Sequence, residues 1–294
     1  MPSLDFGIGR RIHLWSHRNL RPLWASLVVA GLCLFGTSAA MAQTPAPLGE
    51  WQYSAGIALR SMFQDPLPTW NGNVGIAVSG QPRYPGSSQY HVEPGPTFDL
   101  RYKDIAFLSA GEGFGVNILR DKAYRVGIAL GYDVGRDQDS GRHLHGMGDI
   151  SPAAEPKLFA EYVLFPVVLR GDIRRGIGGN DGWVGDLSAY MPVCGSEKFF
   201  IFAGPTATYT DSTYQRHYYG VTVLQSKRSG YRIFTPGSGF ESAGFGTNVV
   251  WYWNDHWFCT TEGAVQRLLG DAESSPLTAS KVQLGLSGSI GYQF

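Results

Sequence analysis

The chain has 294 residues, enough for one sizeable domain, and its 24 basic and 24 acidic residues balance to zero net charge. Such a balance gives no support to a nucleic-acid-binding protein, which would need a basic surface. Glycine is abundant, at 39 residues, and aromatic residues make up 13% of the chain. Short glycine-rich strands and interfacial aromatic rings are typical of membrane β-barrels.

The first 42 residues have the order of a secretory signal. Four arginines precede an apolar run from residue 23 to residue 36, and the triplet Ala40-Met41-Ala42 follows. This order predicts a signal peptide, residues 1–42, that is cleaved after Ala42. The apolar run is shorter than the roughly 20 residues that a membrane-spanning helix needs. No later run is long enough either, so a membrane-embedded chain would have to cross with the strands of a closed barrel.

Alternation of apolar with small or polar residues marks strands along the mature chain, residues 43–294. It begins in the row Trp51 to Leu59, recurs from Tyr124 to Tyr132, and is clearest from Val282 to Phe294. In the last strand Leu284, Leu286 and Ile290 fall on the face predicted to contact lipid. Its aromatic end at Phe294 resembles the signal by which outer-membrane barrels are recognised for assembly.

Twelve such segments predict an all-β fold, an antiparallel transmembrane β-barrel of about twelve strands, with ten as the alternative. The predicted strands are 51–61, 73–80, 92–102, 105–118, 123–134, 155–165, 167–175, 183–193, 199–209, 241–252, 257–268 and 281–294. If the first strand runs outward, the segments after odd strands should be long external loops and the others short periplasmic turns. The long segment 81–91 and the short turn 103–104 break that rule.

Several segments resemble the MipA/OmpV family of MltA-interacting proteins and their outer-membrane relatives. They are spread in order over nearly the whole mature chain. The matching residues are Tyr84-Pro85-Gly86-Ser87, Gly135-Arg136, Leu144, Gly146-Met147-Gly148-Asp149, Tyr209, Tyr214, Tyr219-Gly220-Val221-Thr222, Ser229-Gly230, Leu269-Gly270-Asp271-Ala272, Ser275-Pro276 and the terminal strand.

The resemblance implies a protein of the outer membrane of a Gram-negative cell, in contact with its lipid and lipopolysaccharide. It also implies a non-enzymatic scaffold that joins a murein lytic transglycosylase to a murein synthase, without a cofactor. A surface antigen or adhesin and a narrow small-solute channel are the alternative functions.

Residues with catalytic or metal-binding chemistry have plainer explanations. His143, His145 and Asp149 form a candidate cluster, because two imidazoles two residues apart could approach one ion. No third ligand is obvious, however, and the glycines around Asp149 favour a tight turn in which its carboxylate accepts backbone N–H groups. Asp271 and Ser275 lie in a proline-containing turn, where such residues are common loop formers. We therefore predict no catalytic or metal site. Cys194 and Cys259 could pair in the periplasm or remain as two thiols.

Two further groups bear on function. Polar residues, most of them charged, on the inner faces of the strands predict a polar lumen, plugged or narrow in preference to an open pore. They are Lys157, Glu161, Arg170, Asp172, Arg174, Glu262 and Gln266. Aromatic and basic residues mix in the segment 212–231, which fits either an external recognition surface or a hairpin that extends two strands beyond the membrane.

The candidate partner-binding residues are Arg83, Tyr84 and Tyr90. They lie in the segment 81–91, which the strand count places at the periplasmic rim with the turns 194–198 and 254–256. Arginine and tyrosine are enriched among the residues that anchor protein interfaces. The sequence therefore predicts that Arg83, Tyr84 and Tyr90 contact a periplasmic murein enzyme.

Overall fold

A computed structural model describes residues 68–196 and 198–294. Twelve antiparallel strands form a closed barrel in which each strand pairs with its neighbours in sequence and β1 pairs with β12. The strands are β1 (Trp70–Pro82), β2 (Tyr90–Tyr102), β3 (Ala106–Ser109), β4 (Gly113–Arg120), β5 (Tyr124–Asp133), β6 (Ala153–Leu164), β7 (Val167–Arg175), β8 (Trp183–Gly195), β9 (Phe199–Thr210), β10 (Gly239–Tyr252), β11 (Trp257–Leu268) and β12 (Val282–Gln293).

The predicted barrel and its count of twelve strands are confirmed, and the predicted strands from 123–134 onward overlap β5 to β12. The predicted strand 105–118 is wrong as a single element, because it forms the two strands β3 and β4 around a turn. Gly113, the first residue of β4 after that turn, has a φ of 78°, and a Cβ there would lie 2.2 Å from the carbonyl oxygen of Leu130. The predicted signal peptide and the predicted strand 51–61 lie outside the described residues.

The barrel is apolar outside and polar inside. On β12, the side chains of Leu284, Leu286 and Ile290 are 51–64% exposed, while Gln283 and Ser287 on the other face are buried. This arrangement is the reverse of a water-soluble protein and matches a barrel whose outer surface contacts lipid. The row that ends in Tyr124 and Tyr132 is likewise exposed, as two interfacial aromatic girdles require.

The hairpin of β3 and β4 is short, and it leaves one side of β2 unpaired near one end. Pairing with β3 stops at Asp99, and the carbonyl of Phe98 accepts the last hydrogen bond, from Ala110 N–H at 3.0 Å. Residues 94 and 96 direct their backbone groups to the same side of β2 as Phe98. Both are prolines, which have no N–H group. This unpaired edge of β2 therefore exposes two fewer hydrogen-bond donors than it would with other residues.

The connections separate into two ends of the barrel. Residues 83–89, 134–152, 176–182, 211–238 and 269–281 follow odd-numbered strands and form the long-loop end. The short turns after even-numbered strands form the short-turn end. Bacterial barrels have short periplasmic turns and longer extracellular loops. We therefore assign the short-turn end to the periplasm and the long-loop end to the cell exterior.

In the described residues the long loops contain three short α-helices, α1 (Ser212–Tyr219), α2 (Val223–Ser229) and α3 (Gly270–Ser274), and two 3-10 helices, Gln138–Ser140 and Arg142–Leu144. Asp211 caps α1 by accepting the N–H of Tyr214, and Thr222 and Gln225 form a capping box at the start of α2. The predicted alternative of an extended hairpin in this segment is therefore wrong. Among the described residues, no helix is long and apolar enough to cross a bilayer.

Candidate functional surfaces: the lumen, the loop cap and the short-turn end

Ion pairs fill the lumen on the side of β2 to β8. Glu112, in the turn between β3 and β4, accepts hydrogen bonds from Arg101 of β2 at 2.8 Å and from Arg170 of β7 at 2.6 Å. Arg125 of β5 donates to Glu161 of β6 at 3.0 Å. Each of these side chains is at least nine-tenths buried. The contact between Glu112 and Arg170 joins parts of the wall that are several strands apart, so it reaches across the lumen.

A second cluster lies on neighbouring strands. Arg174 of β7 pairs with Asp172 at 2.9 Å, with Glu155 at 3.4 Å, and with Asp186 of β8. The predicted lumen residues Lys157, Glu161, Arg170, Asp172, Arg174 and Glu262 are all buried, and Gln266 is half-buried. The sequence thus identified the charged interior correctly, although it gave no sign of which charges pair.

The long loops pack together into a loop cap, which we define as residues 83–89, 134–152, 211–238 and 269–281. Ala279 N–H donates to Gly86 O at 2.8 Å, and Ser275 Oγ donates to Tyr219 O at 2.7 Å. The buried residues Met147, Val221 and Leu277 form an apolar cluster at the centre. These contacts join four separate loops, so the cap behaves as one packed body.

Arg136 fixes α1 within the cap. Its guanidinium donates to Tyr218 O at 2.6 Å and to His217 O at 3.4 Å, the last carbonyls of the helix. Among the described residues it has no carboxylate partner, and burial lowers the pKa of this guanidinium. A cation at a helix C-terminus is stabilised by the helix dipole and by the unsatisfied carbonyls.

Two tyrosines of α1 reach from the cap to the top of the barrel wall. The hydroxyl of Tyr218 donates to Asp133 at 2.6 Å, and that of Tyr219 donates to Glu241 at 2.7 Å. Burial raises the pKa of both tyrosines, and the adjacent carboxylates raise it further. Both phenols are therefore neutral donors at physiological pH and hold α1 over the lumen.

The structure places the candidate partner-binding residues at the opposite end of the barrel from the one predicted. Arg83, Tyr84 and Tyr90 lie at the long-loop end, so their expected position beside the turns 194–198 and 254–256 is wrong. The described barrel begins with β1, so the loop 83–89 follows an odd-numbered strand and not, as predicted, an even-numbered one. Tyr84 is buried, with its hydroxyl 3.3 Å from Leu277 O, whereas Arg83 and Tyr90 are exposed. Whether these residues bind a partner remains a prediction.

The loop 134–152, which contains His143, His145 and Asp149, has the structural role that the sequence favoured. Asp149 accepts the backbone N–H of Gln138 at 2.9 Å, and its neighbour Gly148 has a φ of 77°. His143 stacks on Tyr231 with 6.4 Å between ring centroids. Within the described ranges, no group of three or more His, Cys, Asp or Glu residues is placed to hold a metal ion.

The other candidate residues are also structural. Asp271 accepts the backbone N–H of Gly237 at 2.7 Å, and Ser275 Oγ accepts that of Leu277 at 3.1 Å. Both side chains therefore stabilise loops. The open question of a disulfide is settled in the structure, where Cys194 and Cys259 are separate free thiols.

The short-turn end presents a compact aromatic turn between β10 and β11. Trp253 is 43% exposed, and its ring lies 6.1 Å from that of Trp251 in an edge-on arrangement. Asn254 Oδ1 accepts the N–H groups of His256 at 2.9 Å and Trp257 at 2.8 Å, which fixes the turn. The sequence predicts a short turn here, but no pattern in it distinguishes these aromatic residues from those of the interfacial girdles.

The family model of the MltA-interacting protein MipA matches residues 74–294. The chain is also similar to three solved structures: a bacterial polysaccharide outer membrane secretin (10% identity, TM-score 0.41, 76% of this chain and 97% of that chain), Salmonella typhi OmpF in complex with daunomycin (11%, 0.34, 78% and 97%) and an anion-selective porin from Comamonas acidovorans (9%, 0.33, 77% and 99%). A comparison with curated proteins gave no match.

The family match begins within β1 and runs through the last residue of the chain. It therefore includes nearly all of the barrel together with the loop cap, and the apolar outer surface of that barrel fits a lipid environment. The chain is an outer-membrane β-barrel and belongs to the family of the MltA-interacting protein MipA.

Proposed function

We propose that this protein is a non-catalytic scaffold that binds periplasmic murein enzymes, a lytic transglycosylase and a murein synthase, through its short-turn end. The family match carries the proposal, because the family is described by its interaction with MltA. The periplasm is the compartment where enzymes act on the cell wall, and the short-turn end is the part of the barrel that we assign to it.

The interior of the barrel supports a binding role more than a transport role. Arg101 and Arg170 are held on Glu112 across the lumen, and the loop cap packs over the long-loop end. Such a lumen is suited to rigidity, because buried ion pairs that lose a partner are costly. The narrow-channel alternative accordingly has less support.

We propose Trp253 as an anchor for the partner. Exposed tryptophans on rigid turns lose little conformational entropy on binding and are enriched among residues that dominate interface affinity. The alternative is that Trp253 belongs to the aromatic girdle at the membrane surface and contacts no partner protein. Its position in a turn that Asn254 fixes favours a contact with the periplasm.

The test is capture of a purified lytic transglycosylase of the MltA type by the detergent-solubilised barrel. We expect Trp253→Ala to weaken capture about tenfold or more, since truncating an anchor residue commonly costs 2 kcal/mol or more. Trp183→Ala is the matched control, because Trp183 is 45% exposed at the opposite end. Arg83→Ala combined with Tyr90→Ala tests the residues that the sequence singled out.

Loss of capture in Trp253→Ala alone supports the proposal. Equal capture by Trp253→Ala and wild type refutes the contact at this turn, and loss in the Arg83 and Tyr90 variant moves the contact to the long-loop end. Failure of the wild-type barrel to capture the enzyme refutes the scaffold itself. The orientation is checked separately: on whole cells an impermeant thiol reagent should label Lys227→Cys but leave Asp255→Cys unlabelled.

A further inference from the structure

The loop between β9 and β10 has an unusual charge distribution. Residues 212–238 include two arginines and a lysine close to α2, namely Arg228, Arg232 and Lys227, and no acidic residue at all. The nearest acidic residues along the chain, Asp211 and Glu241, lie at the two ends of the loop. The loop therefore presents positive charge to the cell exterior, and none of its own residues carries a negative charge to balance it.

Helix α2 is held to the cap by one face. Gln225 Nε2 donates to Met147 O at 2.6 Å, and Ser226 Oγ donates to Tyr231 O at 2.6 Å. The residues on the other side of the helix are exposed to solvent. They form two pairs with a spacing of four positions, about one helical turn, so they share a face. This face has two apolar residues followed by two basic residues: Val223, Leu224, Lys227 and Arg228.

A neighbouring strand-like segment lies beside α2 and adds a third basic residue, Arg232, and a third exposed apolar residue, Ile233. Val221 and Phe234 exchange two backbone hydrogen bonds, of 2.8 and 3.0 Å, which brings Arg232 and Ile233 beside the start of α2. Arg232 donates to Ser274 O at 3.1 Å, and its guanidinium lies 5.4 Å from the ring centroid of Phe234. We call the combined surface the α2 face; its residues are Val223, Leu224, Lys227, Arg228, Arg232 and Ile233.

The apolar residues of the α2 face are unusually exposed. Val223 and Leu224 are each 57% exposed and Ile233 is 55% exposed, although they lie in a loop and not on the lipid-facing wall. The face is also rigid, because Thr222 N–H donates to Gln225 Oε1 at 2.8 Å in the capping box and Gly230 ends α2 with a φ of 80°. A preformed surface of this kind loses little entropy on binding.

We propose that the α2 face binds the phosphorylated glycolipid of the outer leaflet, lipopolysaccharide, with its basic residues on the phosphates and its apolar residues on the adjoining apolar part of the lipid. Arginine and lysine are the usual ligands of phosphate groups, through charge-assisted hydrogen bonds. A basic surface that also exposes aliphatic side chains fits an anionic amphiphile, as in peptides that lie on anionic membranes. The α2 face lies at the long-loop end, which we assign to the side of the membrane where the outer leaflet stands.

The test measures binding of purified lipopolysaccharide to the full chain in phosphatidylcholine nanodiscs by surface plasmon resonance. We expect the triple variant Lys227→Gln, Arg228→Gln and Arg232→Gln to bind about tenfold or more weakly, from the combined effect of three exposed ion pairs. Binding to the wild type should also weaken with added salt. A second variant, Val223→Ser with Leu224→Ser, should weaken binding without changing the salt dependence.

The matched control removes three positive charges at the other end of the barrel: Arg120→Gln, Lys122→Gln and Lys198→Gln. Wild-type affinity in this control, together with loss of affinity after enzymatic dephosphorylation of the glycolipid, supports the proposal. Equal binding by the α2-face triple variant and wild type overturns it, as does undiminished binding of the dephosphorylated glycolipid. Binding of a soluble acidic protein in place of the glycolipid also overturns it. Because all substituted side chains are exposed, heat-modifiability on gels should be unchanged and shows that each variant is folded.

Discussion

Replacement of Arg136 by methionine tests how the loop cap is held together. Methionine keeps most of the apolar stem of the side chain and removes the guanidinium that donates to Tyr218 O and His217 O. The two hydrogen bonds and the helix dipole favour the arginine, while burial of a cation without a carboxylate partner opposes it. Hydrogen bonds from a charged donor contribute about 1.5–3 kcal/mol and a helix-terminal cation about 0.3–2 kcal/mol. After the burial cost, we expect a net loss of about 2 kcal/mol in the free energy of opening the cap.

A loss of about 2 kcal/mol corresponds to about a thirtyfold rise in the open population. Hydrogen exchange measured by mass spectrometry on a peptide spanning α1 should therefore quicken about thirtyfold in Arg136→Met, while peptides of β5 to β9 keep their protection. Arg228→Met is the control, since Arg228 is an exposed residue of α2. Unchanged exchange in Arg136→Met would show that the guanidinium does not hold α1. Slower exchange would show that its burial cost exceeds its hydrogen bonds.

Three other perturbations test the lumen, the tyrosines and the seam of the barrel. Glu112→Ala leaves Arg101 and Arg170 buried without this partner, so we expect the free energy of unfolding in urea to fall by about 3–5 kcal/mol. Glu112→Gln should lower it by less. Equal urea midpoints for both variants and the wild type would contradict this. Because the folded-state pKa values of Tyr218 and Tyr219 are raised, their stabilisation is complete below the unfolded pKa of about 10 and is lost as pH rises through the folded values. Tyrosinate absorbance should show these two ionising only as the cap opens above pH 10, a late phase that Tyr218→Phe with Tyr219→Phe removes. Deletion of Phe294, whose N–H donates to Gly72 O at 3.0 Å where β12 meets β1, should reduce the heat-modifiable folded form, and a normal yield would argue against a role in closure.

Strand positions followed from the sequence wherever alternation was long enough to specify a face. The row from Tyr124 to Tyr132 and the row from Val282 to Phe294 each fix one buried and one lipid-facing side, and both strands form as predicted. The turn between β3 and β4 was missed because apolar residues continue on both sides of Gly111 and Gly113. The end of the barrel at which Arg83 and Tyr90 lie depends on a different point, namely that the loop 83–89 follows β1, an odd-numbered strand.

The helices of the loop cap were not predicted, although the sequence carries signals for one of them. Thr222 and Gln225 have the spacing of a capping box, and Gly230 stands where a helix ends in a left-handed residue. The aromatic and β-branched residues between Tyr214 and Val223 suggested strands instead. The role of Arg136 had no local signal, because its partners Tyr218 and His217 lie some eighty residues further along the chain.

The short β3 has a consequence for the membrane around the protein. A strand of four residues rises about 14 Å, less than the roughly 25 Å apolar band of an outer-membrane barrel. The lipid next to β3 therefore meets a lower hydrophobic wall than the lipid next to β1, which has 13 residues. A bilayer accommodates such hydrophobic mismatch by local thinning or by tilting of the protein. We expect the outer leaflet to be thinned on the side of β2 to β5, which would favour neighbours with a similarly short hydrophobic span.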